Sequence, residues 1–273
     1  MPTIDVNVPV GVDATRASIA RVYDAMLGGK DNYAIDRQVV QELVSAVPDV
    51  VDAARENRDF LIRVCRFIAS QTEVVQYLDC GSGLPTAENT HQVVQRLNPE
   101  SKVVYVDNDP VVLAHGRALL EENELTRLVD GDLFQPCTVL DHEVVRTHLD
   151  FTQPIALLQL ATLHHYKGSR DRAPKAMREY IDALPSGSYV AISHYFDPQN
   201  DDTAALDTLE AVARKGSLGG ATRRTRAEIM ELFTGLELVE PGLVPLPEWW
   251  SDGPRLNRDK KVQMVAGGVG RKP

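Results

Sequence analysis

Asp79-Cys80-Gly81-Ser82-Gly83 is the stretch of the chain whose residue types first suggest chemistry. Two glycines one residue apart let a backbone approach a ligand where any Cβ would collide. Two more acids stand at telling distances. Asp107 closes the run Val103-Val104-Tyr105-Val106, and Asp132 follows Gly131. A carboxylate at the end of a strand can accept hydrogen bonds from both ribose hydroxyls of a nucleoside. Asp132 can accept one from an adenine amino group. Each residue also has a plainer reading: the glycines form a tight turn, Asp107 caps a helix, and Asp132 is a solvated turn residue. For Asp107 the plainer reading is the weaker one, because Asp109-Pro110 already supplies a cap and a first helical residue.

A second group follows the apolar run Ile155–Leu160: Ala161-Thr162-Leu163-His164-His165-Tyr166. Histidine titrates near neutrality, so His164 or His165 can serve as a general base. The alternative is an imidazole packed at a strand end. His194-Tyr195 forms a second candidate pair, and His91, inside an expected helix, reads as structural.

These residues need elements to hold them. Val74–Asp79 reads as a buried strand running into the glycine turn, and Pro85–Leu97 as the helix after it. Strand Val103–Asp107, helix Pro110–Glu122, a short strand near Leu125–Val129, strand Ile155–Leu160, helix Arg172–Leu184 and strand Ser188–Ser193 follow. Strands alternating with helices of this length imply a mostly parallel sheet with helices on both faces. Helices Ala204–Arg214 and Arg226–Phe233 come next. Strands Leu236–Glu240 and Lys261–Ala266 suit an antiparallel edge pair around a proline-rich loop with Trp249 and Trp250, which reads equally as lid, interface or core anchor. The first 70 residues are helical: one helix capped by Asp13 or Thr15 and stopped by Gly28-Gly29, a second through Val39 and Leu43, and a third over Val50–Ser70.

Bulk properties exclude several classes. With 43% hydrophobic and 25% charged residues, the chain is that of a folded globular protein. Its net charge of −10 repels phosphate backbones, so no nucleic-acid partner is expected. The local basic run Arg223, Arg224, Arg226 reads as a solvated helix start. Cys65, Cys80 and Cys137 show no paired spacing, which argues against disulfides and against a metal site. No apolar run approaches the roughly 18 residues of a membrane span, and Met1–Val12 lacks a signal-peptide pattern. A cytoplasmic location is expected.

Asp79-x-Gly81-x-Gly83, Asp107 and Asp132 resemble the successive cofactor motifs of class I S-adenosylmethionine-dependent methyltransferases. Over nearly its whole length the chain resembles one bacterial family of S-adenosyl methyltransferases of unassigned substrate. That likeness is carried by Tyr23-Asp24-Ala25-Met26-Leu27-Gly28-Gly29-Lys30-Asp31-Asn32-Tyr33, Asn57-Arg58-x-Phe60-Leu61, Gly83-Leu84-Pro85-Thr86 and Val104–Pro110. The resemblance implies a Rossmann-like doubly wound α/β fold with a mostly parallel seven-stranded sheet. It also implies S-adenosyl-L-methionine as cofactor, with methionine over Gly81, Ser82 and Gly83, ribose on Asp107, and adenine near Asn108, Asp132 and Leu133. The segment Ala161–His165 then approaches the transferred methyl group. The usual third glycine of the turn is Pro85 here.

On this reading residues 1–72 form a helical segment or lid packed on a core domain of residues 73–273. The Gly28–Tyr33 loop, with Asn32, covers the cofactor. Lys30 or Arg58 meets the methionine carboxylate, and Tyr23 or Tyr33 turns an aromatic face to the sulfonium. The expected partner is a small-molecule acceptor methylated on oxygen or nitrogen. Two other classes remain: a non-catalytic S-adenosylmethionine sensor, and a nicotinamide-dependent oxidoreductase, whose fingerprint would want glycine at Thr86.

Overall fold

The computed structural model describes residues 12–85, 88–119, 123–215, 218, 220–253 and 262–273. Thr86, residues 120–122 and Lys261 lie outside the described residues. Nine strands are described: β1 (Gln76–Cys80), β2 (Lys102–Asp107), β3 (Thr126–Asp130), β4 (Ala156–Leu160), β5 (Tyr189–Asp197), β6 (Arg224–Thr225), β7 (Glu237–Leu238), β8 (Val244–Pro245) and β9 (Val265–Arg271). They form one mostly parallel sheet of order β3-β2-β1-β4-β5-β9-β7. The sheet has nine strands rather than the seven expected, seven of them along this path. The two others are β6 and β8, two residues each, which pair with Phe196-Asp197 at the end of β5 and with Ala266-Gly267 of β9.

The strands β1 to β5 are parallel, and β9 runs antiparallel between β5 and β7. Strand β9 starts and ends later than expected, at Val265 and Arg271, because its glycines hide the strand pattern. They are there for close approach. A Cβ on Gly267 would lie 2.6 Å from Leu246 and 2.9 Å from the Ile192 carbonyl oxygen.

Alternation along the strands divides the core into two layers. Tyr77, Val103, Tyr105, Leu158 and Ala191 face one way, toward Phe60, Val64 and Ile68. Leu78, Val104, Val106, Leu157 and Ile192 face the other, toward Met177, Tyr180 and Ile181. The first layer is built by the N-terminal helices α1 (Ile19–Met26), α2 (Ala34–Ala46) and α3 (Val50–Gln71), whose buried residues share one apolar cluster with the sheet. In α3, Phe60, Val64, Cys65 and Ile68 recur at helical spacing and are fully buried. Truncating Ile68 to alanine costs about 2–5 kcal/mol. Trp249 belongs to this core, edge-on to Phe60 at 5.4 Å and Phe67 at 5.6 Å, whereas Trp250 stacks on it from the surface.

Two helix starts differ from the sequence pattern. Ser18, not Asp13 or Thr15, caps α1 by accepting from the Arg21 amide at 3.3 Å. Asp13 is occupied by Thr15. The helix expected from Pro85 is α4 (Thr90–Leu97). Glu88 sits at φ 63°, which no helix accommodates, and its carbonyl accepts from Arg58 at 2.9 Å. The Asn89 amide then donates to Gln92, opening the helix one residue later. Helix α5 spans Pro110–Leu119 as described. Of the basic run only Arg226, exposed at the first residue of the helix Arg226–Met230, is a solvated helix start. Arg223 pairs with Asp207 and Glu210, Arg224 is buried, and Thr225 caps the short helix after them.

Candidate functional site

The strand order reverses between β1 and β4, and the carboxyl ends of strands at such a switch point are where ligands bind in this architecture. Asp79 and the glycine turn leave β1 there, Asp107 leaves β2, and Ala161–His165 leave β4. The fold thus brings the candidates together at one edge of the sheet.

Gly81 takes φ 79° and Gly83 φ 65°, both left-handed. A Cβ on Gly81 would collide with the Thr162 methyl group, so this glycine is demanded twice over, by conformation and by space. Nothing lies within 4 Å of a Cβ on Gly83, which faces open space. The amides of the turn are already used. Gly81 and Ser82 both donate to the Val106 carbonyl, at 2.7 and 3.3 Å, and Gly83 donates to Asp107 Oδ2 at 2.9 Å.

Asp107 therefore does local work as well. Its Oδ1 accepts from the amides of Asn108 at 2.8 Å and Asp109 at 2.9 Å. A carboxylate offers about four acceptor positions, so one remains free, on Oδ2. A pair of ribose hydrogen bonds requires one of these amides to give way. Asp109 supplies the helix cap, accepting from the Val111 amide at 2.8 Å. Burial raises the Asp107 pKa. Asp79 is 5% exposed and is pushed up to about 6, by burial first, against the Thr90 hydroxyl at 2.7 Å and the Arg58 charge, which lower it. Asp132 accepts from the Phe134 amide and the Gln135 side chain, both at 2.9 Å. Leu133 lies beside Gly81, 3.4 Å from where its Cβ would be.

The segment after β4 holds a strained residue. Ala161 takes φ 55°, uncommon with a Cβ, and its amide donates to both Ser193 oxygens, the carbonyl at 3.1 Å and the hydroxyl at 2.8 Å. His164 is 2% exposed; its Nδ1 accepts from the Tyr195 amide at 3.3 Å. Its proton therefore sits on Nε2, and burial pushes its pKa well down. In this tautomer the Nδ1 lone pair of His164 is occupied and Nε2 carries the proton, so the ring is held as a neutral donor. His165 Nδ1 is enclosed with no hydrogen-bond partner among the described residues, and burial pushes His165 down to about 4. The rings of His164 and His165 lie 4.3 Å apart, and those of His164 and His194 5.3 Å apart. His194 is fully buried, is pushed down to about 3 by burial, and donates from Nδ1 to the Tyr195 carbonyl at 2.8 Å. His91 is structural, bonded to the Tyr105 hydroxyl at 2.8 Å.

The Gly28–Tyr33 loop is organised from within. Asp24, 2% exposed, accepts from the Asp31 amide at 3.0 Å and from Asn32 Nδ2 at 2.8 Å, and its carboxylate fills the space a Gly29 Cβ would need. Asn32 also accepts from Arg37 at 2.9 Å. The polar run after the glycines thus braces a buried carboxylate, and Asn32 is its brace rather than an open ligand contact. The Tyr33 ring lies under the Arg21 guanidinium at 5.0 Å, so that face already has a cation. Tyr23 spends its hydroxyl on the Ala54 carbonyl at 3.0 Å. Lys30 is exposed, and Arg58 holds Glu88 and Asn89 while its charge acts on Asp79. The N-terminal segment does reach the turn: Val12 and Ala20 pack against Leu84, Val111 and Val112.

Sequence reasoning missed Asp24, Asn57, Thr162 and Ser193. Asn57 and Asp24 stand inside stretches that carry the family likeness, a signal available in the sequence; Ser193 closed an expected strand and carried none. Among the described residues no cluster of His, Cys, Asp or Glu is arranged to hold a metal, and no helix is long and apolar enough to cross a membrane.

Comparison with known proteins agrees with this architecture. A candidate methyltransferase from Thermobifida fusca YX is 40% identical, superposes with a TM-score of 0.91, and is matched over 98% of this chain and 99% of that one. A DUF574 family protein from Streptomyces avermitilis MA-4680 is 36% identical with a TM-score of 0.88, over 96% and 99%. No curated protein matches. A model of the S-adenosyl methyltransferase family matches residues 6–273, and the chain belongs to that family.

Proposed function

We propose that the chain binds S-adenosyl-L-methionine at the switch point and transfers its methyl group to a small-molecule oxygen or nitrogen acceptor. One observation carries the choice of cofactor: the amides of Gly81, Ser82 and Gly83 are all satisfied internally. A dinucleotide's pyrophosphate needs such amides free. A sulfonium nucleoside carries no phosphate and tolerates the acids Asp79, Asp107 and Asp132. The open space at Gly83 and the remaining lone pair of Asp107 fit it as well.

When bound, S-adenosylmethionine supplies a methyl carbon activated by positive sulfur. The chain's own residues then have one main task, alignment of an acceptor near 3–3.5 Å from that carbon. Asp107 holds ribose, with Asn108, Asp132 and Leu133 around adenine, and Gly81, Ser82 and Gly83 lie under the methionine. Ala161 and Thr162 form the floor between the two substrates. His164 donates from Nε2 and orients the acceptor. His165, unprotonated throughout the neutral range, receives the acceptor's proton where one must leave. Arg58 holds the loop over Asp79, and the exposed Lys30 meets the methionine carboxylate. Residues 1–72 act as the lid over residues 73–273.

Labelled S-adenosylmethionine incubated with fractionated metabolite pools tests this reading. Transfer of label to a small organic acceptor is expected. Tight cofactor binding with no label in any pool favours a sensor.

A further inference from the structure

We propose that Tyr23, Asn57 and Ser193 form a positioning relay that ties the N-terminal helices to the left-handed turn at Ala161 and so sets the geometry between cofactor and acceptor. The inference rests on the cofactor reading above. Its members come from three elements: Tyr23 on α1, Asn57 on α3 and Ser193 on β5.

The direction of each hydrogen bond in the relay is fixed. The Ser193 hydroxyl oxygen accepts from the Ala161 amide at 2.8 Å, so its own proton is donated to Asn57 Oδ1, at 2.5 Å. That fixes the orientation of the Asn57 amide. Asn57 Nδ2 donates to the Tyr23 hydroxyl oxygen at 3.0 Å, and the Tyr23 hydroxyl donates to the Ala54 carbonyl at 3.0 Å. Ser193 is fully buried and Asn57 is 6% exposed, so neither can exchange its partner for water at low cost. At the far end, Ala161 is held at φ 55°, a conformation a residue with a Cβ keeps only when its surroundings enforce it. The next residue, Thr162, fills with its methyl group the space a Gly81 Cβ would take. A shift of the Ala161 turn is therefore felt directly at the glycine turn.

Bonds that merely stabilise the fold would change the unfolding temperature and nothing else. A relay also moves the site. The test uses the full chain as Ser193→Ala, Ser193→Thr, Tyr23→Phe and the Ser193→Ala/Tyr23→Phe double variant. It reads thermal midpoint, S-adenosylhomocysteine affinity by calorimetry, and exchange of the Ala161 amide by NMR. Ser193→Ala should weaken S-adenosylhomocysteine about tenfold and speed Ala161 exchange about tenfold, the effect of losing one buried hydrogen bond. Ser193→Thr, which keeps the hydroxyl, should restore both. Tyr23→Phe should move both in the same direction although Tyr23 bonds to neither Ala161 nor Gly81, and the double variant should fall short of the product of the single effects. A lowered midpoint with affinity and exchange unchanged within twofold overturns the relay. Wild-type protein that binds no S-adenosylhomocysteine overturns the cofactor reading; the Ala161 exchange of Tyr23→Phe then still decides the relay, accelerated exchange sustaining it and unchanged exchange overturning it.

Discussion

The two halves of the switch point are built from opposite electrostatic materials. On the β1–β2 side stand carboxylates at the carboxyl ends of strands: Asp79 and Asp107, each pushed up by burial yet engaged by hydroxyl or amide donors. On the β4–β5 side stand His164 and His194, buried, and the half-buried His165, all three pushed down and therefore neutral. The first half suits a ligand that brings positive charge and hydroxyl donors. The second suits one that keeps its own proton until reaction. Methyl transfer from a sulfonium to a protonated oxygen or nitrogen needs one of each.

Function should separate across this divide, most sharply in His165→Ala. Cofactor affinity should hold while kcat falls by roughly 10²–10⁴, the usual worth of a general base. Single-turnover kinetics with an identified acceptor checks it; unchanged turnover removes His165 from the mechanism. The acid limb of the wild-type rate should lie near pH 4, where His165 titrates, and not near 6.5.

Stability should respond to pH with opposite signs in the two halves. Asp79 has a raised folded pKa of about 6, so between pH 4 and 6 the folded state binds more protons than the unfolded one. Stability from this group is present at low pH and is lost as pH rises, by about 3 kcal/mol at most. His165 and His194 are depressed to about 4 and about 3, so below pH 6.5 the unfolded state binds more protons, and their contribution grows as pH rises toward 6.5. Urea unfolding across pH 4–7 should therefore steepen upward in Asp79→Asn and flatten in His194→Asn. Identical slopes in both variants would erase the contrast.

Within the carboxylate half the residues should rank by engagement. Asp107→Ala removes the anchor of Gly83 together with the proposed ribose contact and should weaken S-adenosylhomocysteine about 100-fold. Asp132→Asn keeps an oxygen for the Phe134 amide and should cost only about threefold, less than one full hydrogen bond. Calorimetry on both variants tests the order, and equal losses would contradict it.

The carboxylate half was also the more legible in sequence, for a physical reason. Left-handed glycines and a strand-ending acid announce themselves locally, since the backbone conformation at Gly81 and Gly83 and the neighbouring amides that Asp107 accepts from already call for these residue types. The histidine half depends on distant partners. Whether His164 is a base or a donor turns on the Tyr195 amide, 31 residues away. The Gly28–Tyr33 loop misled for the same reason, because its polar residues answer to the buried carboxylate of Asp24. Helix α4 starts late because Glu88 turns left-handed, and β9 was displaced in the pattern because its glycines serve Leu246 and Ile192 across the sheet.

Titration of the purified chain with S-adenosylhomocysteine and with NAD, alongside Asp107→Ala, meets the central claim most directly. Saturable heat with S-adenosylhomocysteine, strongly weakened in Asp107→Ala, and none with NAD, is the predicted result. Saturable binding of NAD with no response to S-adenosylhomocysteine would contradict it.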